Sequence, residues 1–154
     1  MKGFTKAGFD HKNVRTPEQK VLMKQIESDG VCSFCFEHFE KYHPEPIIKE
    51  NGSWLLTTNM SPYDGTEHHF FFVYESSHKI NPSDMTREES ADLFELVSWV
   101  TKEHNIVGGS FFMRFGEAGW NGSSVEHLHA HLIVGCKEAE DTEKIKVKLG
   151  YKKK

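Results

Sequence analysis

Three histidines at alternate positions, in His127-Leu128-His129-Ala130-His131-Leu132-Ile133, are the densest concentration of chemistry in the chain. Side chains alternate faces along a strand, so residues 127, 129 and 131 share one face while Leu128, Ala130 and Leu132 point into a core. Each imidazole has polar edges that need partners when buried, so three in a row make poor packing material. Same-face neighbours lie about 7 Å apart along a strand, too far for one ion to take all three easily. The pattern reads as a row of acid–base and nucleophilic groups facing a substrate. Neutral imidazole is nucleophilic at pH 7, and its ordinary pKa suits proton transfer there.

The second feature is Cys32-Ser33-Phe34-Cys35. Two thiols at this spacing are a redox couple or half of a zinc site. A thioredoxin-like motif follows a strand and opens a helix, whereas this one follows Asp29-Gly30-Val31 at an expected helix end. That favours zinc, and a closed tetrahedral site then needs two further ligands. A third group is His68-His69, ahead of Phe70-Phe71-Phe72-Val73-Tyr74. On a strand one of the two points inward and the other outward, so at most one is functional. His11, His38, His43 and His104 read as surface or loop residues, and Cys136 as a small buried apolar residue.

The elements that must position these groups follow from caps and periodicity. Thr16-Pro17-Glu18-Gln19 starts a short helix that runs to about Ser28, where Asp29-Gly30 stops it. Three extended segments are expected near Ile47-Ile48-Lys49, Trp54 to Thr58 and Phe70 to Tyr74, separated by the turn signals Asn51-Gly52 and Asp64-Gly65. Thr86-Arg87-Glu88-Glu89 is a capping box opening a long helix to about His104, with Leu93, Phe94, Val97 and Val100 on one face. Ser110 to Phe115 and Leu128 to Val134 read as strands flanking a glycine-rich loop, Gly116 to Gly122. Lysine alternates with apolar residues from Lys144 to Leu149, which suits an edge strand or a free tail. The fold class is α+β, a mainly antiparallel sheet with one long helix and a shorter N-terminal helix. Residues 1–15 are expected to be a flexible arm and 16–154 a single domain.

Composition sets the bounds. The chain has 154 residues, 37% of them apolar and 27% charged, with a net charge of −4. One ordinary domain with its own core is expected, and a surface built for nucleic acid is not. No apolar run approaches the roughly 18 residues of a membrane span. The N-terminal residues lack the apolar core of a secretory signal, and three cysteines do not make a disulfide scaffold. A cytoplasmic protein is expected.

The triad and its surroundings resemble the histidine triad family. The match includes His127 to Ile133, the approach Gly122-Ser123-Ser124-Val125-Glu126, Asn59-Met60-Ser61-Pro62-Tyr63, and Ser77-His78 ahead of Met85-Thr86-Arg87-Glu88-Glu89. It spans roughly residues 32–134. The resemblance implies a nucleotidyl hydrolase or transferase acting at an α-phosphate through a covalent nucleotidyl-imidazole intermediate. His129 would be the nucleophile, and His131 would donate hydrogen bonds to phosphate oxygens and assist the leaving group. Gly122, Ser123 and Ser124 would cradle the phosphate, or simply join two strands. Asn59 would face the ribose hydroxyls, or else form a turn. The zinc-bearing branch of the superfamily has the same Cys-x-x-Cys, which the galactose-1-phosphate uridylyltransferases share. By that resemblance Cys32, Cys35, His78 and His127 would hold a structural zinc ion. A homodimer is implied as well.

Three departures bear on the substrate. Ser123 stands where nucleotide-hydrolysing members commonly have Gln, and looks more like the dinucleoside polyphosphate phosphorylase branch. Arg114 stands near a usual Asn, and either stabilises phosphate charge or is an ordinary solvent-facing strand residue. Val134-Gly135-Cys136-Lys137 replaces a frequent Pro-Arg. A dinucleoside polyphosphate or a nucleoside phosphoramidate is the expected substrate. The other readings are a non-catalytic nucleotide-binding regulatory protein with a structural zinc site, and a zinc-stabilised interaction module.

Overall fold

A computed structural model describes residues 14–154. Most of the expected N-terminal arm, with His11, lies outside the described residues.

Local signals set most of the elements. Helix α1 covers Pro17–Asp29, with the Thr16 side chain accepting from the Gln19 amide and Gly30 closing it at φ +70°. Helix α2, Phe36–Tyr42, begins at Cys35 and has no strong sequence signal. Strands β1 (Lys49–Asn51), β2 (Trp54–Thr58) and β3 (His68–Tyr74) follow. The long helix α3, Arg87–Glu103, carries both halves of the capping box: Thr86 accepts from the Glu89 amide, and the Glu89 carboxylate accepts from the Thr86 amide. Strand β4 is Ser110–Arg114, and β5 is His129–Val134. The glycine-rich loop between them holds one turn of helix, α4 (Ala118–Asn121), which ends at Gly122 with φ +73°.

The five strands form one antiparallel sheet in the order β1-β2-β3-β5-β4. Strands β3 and β5 are central and buried along most of their length. Pairing fixes which residues share a face. His129 lies opposite Val73 and Arg114, and His131 opposite Phe71 and Phe112. The other face carries Ala130, Leu132, Phe70, Phe72 and Tyr74, which pack with Leu93, Leu96 and Val100 of α3 into the main core. This is the alternation expected from the motif. A second apolar cluster, Phe39, Leu55, Phe71 and Val73, sits on the triad face under α2.

The C-terminal segment corrects one expectation. Residues 142–154 form no strand and pair with no sheet edge. The segment instead packs back across the triad face. Ile145 fills the space over Gly135, where a Cβ would lie 2.8 Å from its Cδ1, and the Lys148 carbonyl accepts from Arg114 Nη2 at 2.8 Å. Among the described residues no helix is long and apolar enough to cross a membrane.

Candidate functional site

The triad histidines are almost wholly buried, at 2–5% exposure. Burial of this kind requires partners, and the partners fix each ring's tautomer. His129 Nδ1 lies 2.5 Å from the His127 carbonyl oxygen. A carbonyl only accepts, so Nδ1 carries the proton and the lone pair is at Nε2. His131 is fixed the opposite way. The Tyr63 amide donates to His69 Nδ1 at 3.2 Å, so neutral His69 carries its proton on Nε2. That nitrogen is 2.8 Å from His131 Nδ1, which must accept. The His131 proton is therefore on Nε2, a buried atom with no hydrogen-bond partner among the described residues. Side by side, one ring offers a lone pair and the other an N–H.

Burial, with the positive charge of Arg114 adding to it, lowers the His129 pKa to about 3. The same causes hold His131 well below its ordinary value, with His129 and His69 contributing between them. Burial, then Arg15 and Arg114, brings His69 to about 3. All three rings are neutral at pH 7, as nucleophile and neutral donors need to be. Aromatic rings brace them: Phe112 stacks on His131 with centroids 4.9 Å apart, and Phe34 meets His129 edge-on at 5.3 Å.

His129 and His131 open onto a cavity of about 590 Å³, within the usual range for a small-molecule site. Asn59, Gly122, Ser123, Ser124 and Arg114 all line it. Asn59 Oδ1 accepts from the Ser61 amide at 2.8 Å, so the Asn builds the turn that shapes this wall. Ser123 is buried, its hydroxyl donating to the Val125 carbonyl and accepting from the Val125 amide. Arg114 is 6% exposed, so it is not a solvent-facing strand residue. Its guanidinium donates to Asn121 and Lys148 carbonyls and to the Tyr63 hydroxyl.

His127 turns away from the cavity. Its Nε2 lies 2.6 Å from the Tyr74 carbonyl oxygen, so Nε2 donates and Nδ1 carries the lone pair. That lone pair meets Cys32 Sγ at 3.4 Å and Cys35 Sγ at 3.7 Å, while His78 Nδ1 is 3.5 Å from Cys35 Sγ. The four donor atoms lie within 4.8 Å of one another. A tetrahedral zinc ion with sulfur and nitrogen ligands spaces them about 3.3–3.8 Å apart, so the set fits a four-coordinate divalent metal. Its charge chemistry agrees. Burial, with Cys32 beside it, pushes the Cys35 thiol up to about 12, and two thiolates this close become favourable around a cation.

Sequence expectations change at three residues, and one open choice is resolved. His69 joins the triad face, while His68 faces the other way and stacks on Phe70. His43, expected at the surface or in a loop, caps α2 but is buried, with Nε2 3.1 Å from Thr57 Oγ1 and its ring stacked on Phe39. Cys136, expected to be buried, is exposed. Arg15, assigned to the arm, lies 4.2 Å over the Tyr63 ring and donates to the Ser61 carbonyl. Its position beside the cavity has no local sequence signal, because only the folded turn at Asn59 brings Tyr63 there.

No protein-family model matches the chain, and no curated protein does. Solved structures do. A hypothetical histidine triad nucleotide-binding protein from Sulfolobus tokodaii is similar with a TM-score of 0.54 and 18% identity, over 79% of this chain and 82% of that one. One from Candida albicans gives 0.51 and 15%, over 69% and 82%. A histidine triad protein from Clostridium difficile gives 0.50 and 21%, over 68% and 90%. At these identities the likeness shows a shared fold.

Proposed function

We propose that this chain, whose fold is that of histidine triad proteins, is a nucleotidyl hydrolase or transferase acting at the α-phosphate of a dinucleoside polyphosphate or nucleoside phosphoramidate. The observation that carries the reading is the pair of opposite tautomers at the cavity floor. His129 Nε2 attacks the α-phosphorus, forming an N–P bond as the bond from phosphorus to the leaving group breaks. His131 Nε2–H donates to a phosphate oxygen, and the cavity wall at Gly122, Ser123 and Ser124 surrounds the phosphate. Attack leaves positive charge on the His129 ring, which its Nδ1–H shares with the His127 carbonyl. Water or inorganic phosphate then attacks the same phosphorus and restores the free imidazole. The apolar wall at Phe34, Met60 and Phe71 receives the nucleoside, with Asn59 near its ribose.

Cys32, Cys35, His78 and His127 would hold a zinc ion, which supplies a structural crosslink among three segments distant in sequence. His127 thereby anchors the carbonyl on which the His129 tautomer depends.

The test is a rapid-quench mass measurement on a diadenosine polyphosphate and on adenosine phosphoramidate. The protein gains one nucleotidyl group in the wild type and none in His129→Ala, with release compared with and without inorganic phosphate. Equal release by both proteins, or release by neither, would end the reading.

A further inference from the structure

The cavity has a charge that one phosphate ester does not account for. Four residues with cationic side chains line it, Arg15, Arg114, Lys146 and Lys148, and no acidic residue does among the described residues. The chain as a whole carries −4, so the cavity is a positive pocket in an acidic protein. Arg114 is the sharpest case. It is 94% buried, its three protein hydrogen bonds go to two carbonyls and a hydroxyl, and no ion pair to it exists among the described residues. A buried charge is expensive without a counterion. A guanidinium has five donors, so two N–H groups have no acceptor among the described residues. Register places Arg114 directly across from His129, and its bond to the Lys148 carbonyl holds the segment bearing Lys146 and Lys148 against the cavity. Arg15 is laid over Tyr63, whose hydroxyl accepts from Arg114.

An α-phosphate within an anhydride or amidate carries a single negative charge. Four cations around it are matched by a ligand whose chain of phosphates continues past the reacting centre. We infer that the substrate's leaving portion is itself a phosphate or polyphosphate, and that Arg114, Arg15, Lys146 and Lys148 form a subsite for it. The inference rests on the reading of His129 as the group that attacks the α-phosphate. It favours the dinucleoside polyphosphate over the phosphoramidate, whose leaving amine has no negative charge. The lysines come from a segment with no secondary structure of its own, so their contribution depends on Arg114 holding the chain in place.

Binding measured without turnover separates the two claims. His129→Ala is titrated calorimetrically with adenosine mono-, di- and triphosphate at fixed ionic strength and without divalent cation. Affinity is expected to rise about tenfold or more from mono- to triphosphate, the scale of one charge-assisted contact. In His129→Ala combined with Lys146→Ala and Lys148→Ala, both exposed residues, that gain should fall at least fivefold. Equal affinity for the three nucleotides, an undiminished gain in the triple variant, or no binding of any of them would overturn the subsite. If the gain is present but wild-type protein forms no nucleotidyl adduct, the subsite stands and the covalent reaction fails.

Discussion

The triad strand divides the molecule's polar chemistry into two regions that handle buried charge in opposite ways. At its start, His127 joins Cys32, Cys35 and His78, four donors from the same chain converging on a point. Two residues on, His129 and His131 face a cavity beside Arg114, a buried cation with no carboxylate partner among the described residues. The first cluster needs only one small cation to be complete. The second, on the proposed reading, is completed by an anion from outside. Each takes a histidine of the same motif, two residues apart, so the difference lies in what surrounds each ring. The Tyr74 carbonyl turns His127 Nδ1 toward the sulfurs, whereas the His127 carbonyl turns His129 Nε2 away from its own strand. Backbone oxygens, which the residue types do not reveal, decide which histidine lone pair meets the sulfurs and which ring faces the cavity.

That contrast breaks most sharply at the two ends of the pair. His129→Ala should lower nucleotide release at least about 10⁴-fold, the scale of losing a covalent nucleophile. Its urea midpoint should stay close to wild type, because among the described residues the ring's hydrogen bond is to the His127 carbonyl alone. Cys32→Ser should do the reverse. Metal content by mass spectrometry falls below half an equivalent, and unfolding free energy drops about 4 kcal/mol, as expected when a ligand at a thousandfold its dissociation constant is lost. If His129→Ala unfolds the protein, or Cys32→Ser keeps both metal and stability, the two regions are not separable in this way.

Much of this division was legible beforehand, and the gaps have physical reasons. The alternation of His and apolar residues fixed the faces of β5, and the capping box at Thr86 placed α3 to within a residue. The four metal-cluster residues were named through a family resemblance, and the folded chain brings them together. His69 could not be told from His68, because that choice depends on the register of β3 against β5 and not on either residue. The 144–149 alternation suits an edge strand and a free tail alike, because outward lysines look the same on a sheet edge and on a segment packed over a cationic cavity. His43 was missed for a related reason. A histidine before proline reads as a turn, and only its Thr57 partner and the Phe39 ring make it a buried one.

Beside the cavity the relay through His69 offers an intermediate test. His69 fixes His131 as an Nε2–H donor only because the Tyr63 amide occupies the other nitrogen. Replacing it with phenylalanine keeps a ring beside Tyr63 but removes the donor, and the His131 proton is then free to move to Nδ1. Loss of a supporting partner of this kind costs about 10–100-fold in activity. The expected result is a fall in turnover in that range with metal content unchanged. A loss as large as that of His129→Ala would make His69 part of the chemistry itself, and no loss would mean that His131 needs no relay.

The smallest effect lies on the metal side and tests how its carbonyl is held. Tyr74, whose backbone oxygen accepts from His127, is tied through its hydroxyl to Glu89 Oε1 at 2.6 Å, and Lys79 Nζ is 3.0 Å from the same carboxylate's Oε2. The Tyr74 hydrogen bond, with the Thr86 amide and Lys79 adding to it, lowers the Glu89 pKa to about 2. A carboxyl with a lowered folded pKa stabilises the fold above its unfolded value, and that contribution fades as pH falls from about 4.5 toward 2. Glu89→Gln should therefore be less stable than wild type at pH 6, by about 1 kcal/mol for a weakened cap, and the gap should narrow by pH 3. Urea midpoints at the two pH values read it directly. A gap that is constant or widens at low pH would show that Glu89 is not held ionised by Tyr74. The metal cluster's anchor would then be the Tyr74 backbone position in β3 alone.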